Sequence, residues 1–113
     1  MGTFTYDTSV RVDFDDRVLI HLQLVISAKL RRDESFIFTW TKPAEAGGGR
    51  TSVWIDRRVP VAFDYLTSTM APISRRWIDE LTATTFNALG LQIVPDPGDV
   101  PAMADAPARE MAK

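Results

Sequence analysis

The stretch Val18 to Leu30 sets the terms for any fold this chain can reach. Leu19, Leu22, Ile26 and Leu30 recur at helical spacing and form one apolar stripe, widened by Val18 and Val25. Ile20 and Leu24 fall outside that stripe, on the flank opposite Val18 and Val25. A helix apolar on more than one flank has to be covered on more than one flank. His21, Gln23, Ser27 and Lys29 interrupt the run, and it is too short to span a bilayer. Asp15 and Asp16 suit the positive end of this helix, and Lys29, Arg31 and Arg32 suit its negative end. The expected helix therefore opens at Asp15-Asp16 and runs to about Arg32.

The cover has to come from strands. Phe4 and Tyr6 alternate with Thr3 and Thr5, and Val10, Val12 and Phe14 alternate with Arg11 and Asp13. Period 2 with β-branched and aromatic residues is the strand signal, and Asp7-Thr8-Ser9 between the two runs predicts a hairpin. Ser35 to Thr41 is the clearest strand, with Phe36, Phe38 and Trp40 on one face and Ile37, Thr39 and Thr41 on the other. Thr51 to Ile55 and Val61 to Leu66 read as two more strands, with Val61, Phe63 and Tyr65 on a common face.

Ser74 is the expected cap of a second helix that ends at Gly90, with Trp77, Ile78, Leu81, Thr85, Ala88 and Leu89 on its apolar face. Leu91 to Val94 reads as a last short strand. The order is ββαβββαβ. It predicts an α+β fold, a mostly antiparallel sheet of five to six strands with two helices packed on one face. A single domain over 1–94 is expected, followed by a Pro/Ala/Asp-rich tail over 95–113.

Several chemistries lack their parts. The chain has no cysteine and one histidine, which removes disulfides, thiolate metal sites and a cysteine nucleophile. No cofactor and no metal are expected, and no catalytic residues are assigned. The N-terminus lacks a basic region followed by an apolar run, so a cytoplasmic protein is the expectation, with no membrane partner. His21 has no fixed serine or cysteine beside it and reads as a surface or interface residue. Asp13, Asp15 and Asp16 read as helix-capping acids rather than a metal or acid–base pair. Gly47-Gly48-Gly49-Arg50 is not a P-loop, because no Gly-Lys-Ser/Thr follows and it joins two strands.

Charge is uneven along the chain. Residues 17–76 hold ten basic and five acidic side chains, a net of +5, between acidic flanks. Arg31, Arg32, Arg57 and Arg58, with Arg50 behind Gly47, Gly48 and Gly49, are candidate contacts for an anion or a nucleic-acid backbone, and an exposed Trp54 would add a stacking surface. The competing reading pairs Arg57 and Arg58 with acids such as Asp56 and Asp64.

Three stretches carry a resemblance. They are Phe14-Asp15-Asp16-Arg17 with Leu22 to Arg32, Glu34 to Trp40, and Gly47 to Ile55. Over roughly residues 1–95 the chain resembles a family of small, uncharacterised actinobacterial proteins of about 100 residues. Members of that family are often labelled "ATP-dependent DNA ligase". That activity needs a nucleophilic lysine in a Lys-x-Asp-Gly setting, and none of Lys29, Lys42 and Lys113 has one. The leading expectation is a non-enzymatic interaction module that self-associates or binds a protein partner. Ile20 and Leu24 are its expected interface, with a second subunit or the C-terminal tail against them. The alternative is a nucleic-acid-binding accessory domain using the basic loop surface around Arg50.

Overall fold

The alternation at the start of the chain makes a hairpin. β1 (Gly2–Tyr6) and β2 (Val10–Phe14) pair antiparallel, with Phe4 opposite Val12 and Tyr6 opposite Val10. In this computed structural model residues 1–98 are described. β1 also pairs antiparallel with β5 (Val61–Asp64), so the first sheet has the order β2-β1-β5. A second hairpin joins β3 (Phe36–Thr41) to β4 (Arg50–Ile55), running from the pair Phe36–Ile55 to the pair Thr41–Arg50. On its other side β3 takes β6 (Leu91–Gln92) in parallel, which gives a second sheet of order β4-β3-β6.

The fold is α+β and the element order is the expected one. The strands divide into two three-stranded sheets instead of lying in one. Aromatic side chains explain the division. Phe4 on β1 meets Phe38 edge-on at 5.5 Å and Trp40 at 6.3 Å, and Phe14 lies 6.2 Å from Phe38. Two sheets that each carry such rings bury them well against each other.

α1 (Asp16–Arg31) closes this core with Leu19, Leu22, Val25 and Ile26, all buried. Gly2 lets it approach, since a Cβ there would stand 2.6 Å from Leu19 Cδ2. The acids at the start of α1 do not cap it with their side chains as expected. Asp15 makes no side-chain cap bond, and Asp16 turns its carboxylate to the loop after β5.

α2 (Arg75–Thr84) is capped as expected, Ser74 Oγ accepting from Trp77 N at 3.2 Å. It stops at Thr84, short of Gly90. Hydroxyls of Thr82, Thr84 and Thr85 bond back to the carbonyls of Ile78, Leu81 and Thr82, a competition that weakens a helix end. Thr84 Oγ1 then accepts from Gln92 N and starts β6. Gly90 has φ +72°, and a Cβ on it would fall 1.9 Å from the Ile37 carbonyl oxygen. Its glycine is set by contact with β3, not by the end of a helix.

Trp77 Nε1 donates to the Val94 carbonyl and Arg17 pairs with Asp96, so residues 94–96 lie against the helices. Beyond residue 98 the expected tail lies outside the described residues. Among those described, no helix is long and apolar enough to cross a membrane.

Candidate interaction surfaces

Ile20 is covered within the chain. Asp16 accepts from the backbone N–H groups of Leu66 (3.1 Å) and Thr67 (3.2 Å), which draws the segment after β5 over α1. The Tyr65 hydroxyl donates to Gln23 Oε1 on the same flank. Burial, with the nearby Asp16 charge, pushes the Tyr65 phenol up to about 12. A cleft of about 250 Å³ remains between Ile20, Gln23, Tyr65 and residues 67–71. Leu24, one turn on, is half-buried and stands apart from the core cluster. The tail expected against this flank lies outside the described residues beyond 98.

His21 is not at the surface. It is fully buried, with its ring 4.5 Å from that of Trp77. Nε2 accepts from Ser74 N at 2.8 Å, so the proton sits on Nδ1, which donates to the Arg17 carbonyl at 2.7 Å. Arg17 lies over the Trp77 ring at 5.6 Å, donates to the Pro72 carbonyl and holds Asp96 at 2.6 Å. The Arg17 hydrogen bond keeps the Asp96 carboxyl below the usual carboxylate range. His21 thus ties α1 to the start of α2 through the Ser74 backbone N–H, while the Ser74 hydroxyl oxygen accepts from Trp77 N. Among the described residues no group of three His, Asp or Glu side chains could hold a metal ion.

The basic residues fall into two groups, Arg31, Arg32, Arg57 and Arg58 in one and Arg50 in the other. Arg31 and Arg32 end α1, and Arg57 and Arg58 turn the chain between β4 and β5. Arg57 pairs with Asp33 at 3.0 Å, and Arg32 lies 3.8 Å from Glu34. Arg58 grips Asp56 with its guanidinium and its backbone N–H, which holds that carboxyl well below the ordinary range. Asp33 therefore stands where Asp64 was expected. Gly47, Gly48 and Gly49 all have positive φ, and open space surrounds each Cβ position, so they turn the chain without cradling anything in it. Arg50 sits beside them, at the opposite end of the β3–β4 hairpin from Arg57 and Arg58. The length of β4 separates the two basic groups, roughly 20 Å.

The face that β4 turns outward is more coherent. Trp54 is 59% exposed there, opposite Ile37 and in line with Ser52 and Arg50. Thr39 and Ser52 bond side by side at 2.6 Å, and Thr39 donates to the Leu89 carbonyl, so the chain at Leu89 covers the β3 side of this face while Trp54 and Arg50 stay exposed. Phe86 is 78% exposed beyond it, with the Lys29 ammonium 4.4 Å from its ring centre.

The sheet edges differ in what they leave unpaired. Asp7 N–H donates to the Pro60 carbonyl at 2.9 Å, which sets the ladder phase. Odd-numbered residues of β1 bond to β5, and even-numbered ones bond to β2. Val10, Val12 and Phe14 therefore bond to β1, while Arg11 and Asp13 aim their backbone N–H and C=O groups away from the sheet. No described strand takes those groups. On β4, the bond from Lys42 N to the Gly49 carbonyl sets the opposite phase, so Arg50, Ser52 and Trp54 aim outward. There the Tyr6 hydroxyl intervenes. It donates to the Trp54 carbonyl and accepts from Asp56 N.

Residues 1–96 match a family model described as a domain of unknown function, DUF7882. No curated protein and no solved structure matches the chain. The chain belongs to the DUF7882 family.

Proposed function

We propose that the domain is a non-enzymatic interaction module that associates with a second copy of itself. One observation carries this reading. Val10, Val12 and Phe14 face the core yet remain half-buried, because the sheet stops at β2. An apolar row at an open strand edge is a template for further pairing. Static light scattering across the micromolar range tests it. A mass that rises toward twice the chain mass supports the reading, and a monomer throughout removes it.

A second reading has its own observation, since Trp54 and Arg50 share one exposed face. A strand face that exposes an aromatic ring and a guanidinium suits a single nucleic-acid strand, with a base on the ring and a phosphate on the charge. It is weaker because Arg57 and Arg58 are taken up by Asp33 and Asp56. The ligase label on the actinobacterial proteins that the chain resembles bears on this reading alone. Lys29 lies buried between Glu34 and the Phe86 ring, an unsuitable place for an adenylated nucleophile. Fluorescence anisotropy with single-stranded oligonucleotides at low salt separates the two readings. Salt-sensitive binding lost in Trp54→Ala would favour nucleic acid.

A further inference from the structure

Resting on the self-association reading, we infer that the second copy docks on β2, antiparallel and centred on Val12, so that Arg11 of each copy lies across from Asp13 of the other. Backbone phase and charge together select that register. Among the described residues, Arg11 and Asp13 are the β2 positions whose backbone groups aim away from the sheet without a partner, so hydrogen-bonded pairs across this edge are made between these positions. Three antiparallel registers satisfy that condition. One centres on Arg11 and sets the two copies' arginines against each other. Another centres on Asp13 and sets two carboxylates against each other. The third centres on Val12 and makes two Arg11–Asp13 pairs of opposite sign. Like charges directly across a pair of strands repel, and opposite charges attract.

The surroundings fit the third register. Arg11 and Asp13 are both exposed, and neither has an ion-pair partner among the described residues. Asp13 accepts a hydrogen bond from Thr3 through Oδ1 at 2.8 Å, which leaves Oδ2 for a partner's guanidinium. On the opposite face, Val12 meets Val12 of the second copy, and Val10 of each meets Phe14 of the other. The half-buried row is then covered on both sides of the twofold axis. Each Arg11–Asp13 pair exchanges two backbone hydrogen bonds. The product is a continuous sheet of order β5-β1-β2-β2-β1-β5.

Charge reversal in the full chain tests this. Arg11→Asp, Asp13→Arg and the double swap are compared with the unmodified protein by sedimentation equilibrium at low salt. Circular dichroism checks that each variant is folded. Each single reversal makes both pairs like-charged, and the dimer should weaken by about tenfold or more. The double swap should restore it. An equimolar mixture of the two single variants should also dimerise, because the acids of one then meet the bases of the other. If the unmodified chain stays monomeric, both this inference and the self-association reading fall. A dimer unmoved by the single reversals overturns the β2 edge and leaves self-association standing. Single reversals that weaken the dimer without rescue by the swap or the mixture also overturn it, since the pairing would then not be mutual.

Discussion

β2 and β4 are the outer strands of two similar hairpins, yet their edges are finished differently. On β2, Arg11 and Asp13 leave backbone groups open and put one charge of each sign beside them. On β4, the Tyr6 hydroxyl from the other sheet occupies the Trp54 carbonyl and the Asp56 N–H. Tyr6 is buried, so its ring fills the core while its phenol closes the strand end. That environment, burial first, also raises its pKa. An edge closed by a hydrogen-bonding side chain rejects any incoming strand at that point. An edge marked by alternating charges instead accepts strands of matching charge, its own copy among them. A run of one sign would have repelled that copy.

The largest effect should come from breaking what the two hairpins share. Trp40 lies 6.3 Å from Phe4 on one sheet and 5.0 Å from Phe38 on its own. Trp40→Ala should cost roughly 3–5 kcal/mol, a large part of a small domain's stability. Both sheets should lose structure together, as one transition seen alike by circular dichroism and tryptophan fluorescence in denaturant. Two separate transitions would mean that the sheets are stabilised independently, and their edges would then have to be treated as belonging to separate units.

Tyr6→Phe sharpens the comparison with a smaller effect. It keeps the ring and removes two hydrogen bonds, at roughly 0.5–1.5 kcal/mol each. The Asp56 amide should exchange with deuterium faster while the amides of Val12 and Phe4 do not. The opened β4 edge should also begin to associate, in a way that Arg11→Asp does not suppress. If Tyr6→Phe leaves association unchanged, β4 is kept unpaired by something other than the phenol.

Much of this was legible in the sequence, and the failures have physical causes. Alternation over 36–41 correctly put Phe36, Phe38 and Trp40 on the core face. Period 2 tells which way a side chain points and is silent on which strand lies alongside, so the division into two sheets was not readable. Thr39 reads as outward-facing in the alternation and is nonetheless buried, because the chain at Leu89 returns across it 50 residues later. His21 departs from its expected surface place for the same reason. A helical wheel sets it opposite the main stripe, and only the arrival of Ser74 and Trp77 makes that side interior. The Asp16 carboxylate suited a cap by residue type, but two amides in the loop after β5 took it. Arg11 and Asp13 were plain in the alternation, but their meaning depends on β2 being an edge, which is a property of topology.

The smallest expected effect separates two carboxylates that acid should release in order. Asp96 is held by Arg17 at the helix junction, and Asp56 by Arg58 at the closed end of β4. Both carboxyls sit below their ordinary value of 3.8, Asp56 much further than Asp96. A carboxyl depressed by folding adds stability that is complete above its unfolded pKa and is lost as pH falls through its folded one. The Arg17–Asp96 clasp should therefore loosen first as the pH falls through and below the ordinary carboxylate range, while the Asp56 turn and the adjoining Tyr6 bonds persist to stronger acid. Arg17 lies over Trp77, and Trp77 also holds the Val94 carbonyl, so its fluorescence reports the clasp. Asp96→Asn should flatten the earlier step in an acid titration and leave the later one in place. The change in stability should be slight, because the Asp96 side chain is about a third exposed and solvent screens its charge. A single acid step, unaltered by Asp96→Asn, would show that the helix junction does not depend on this pair and that His21 and Ser74 hold it alone.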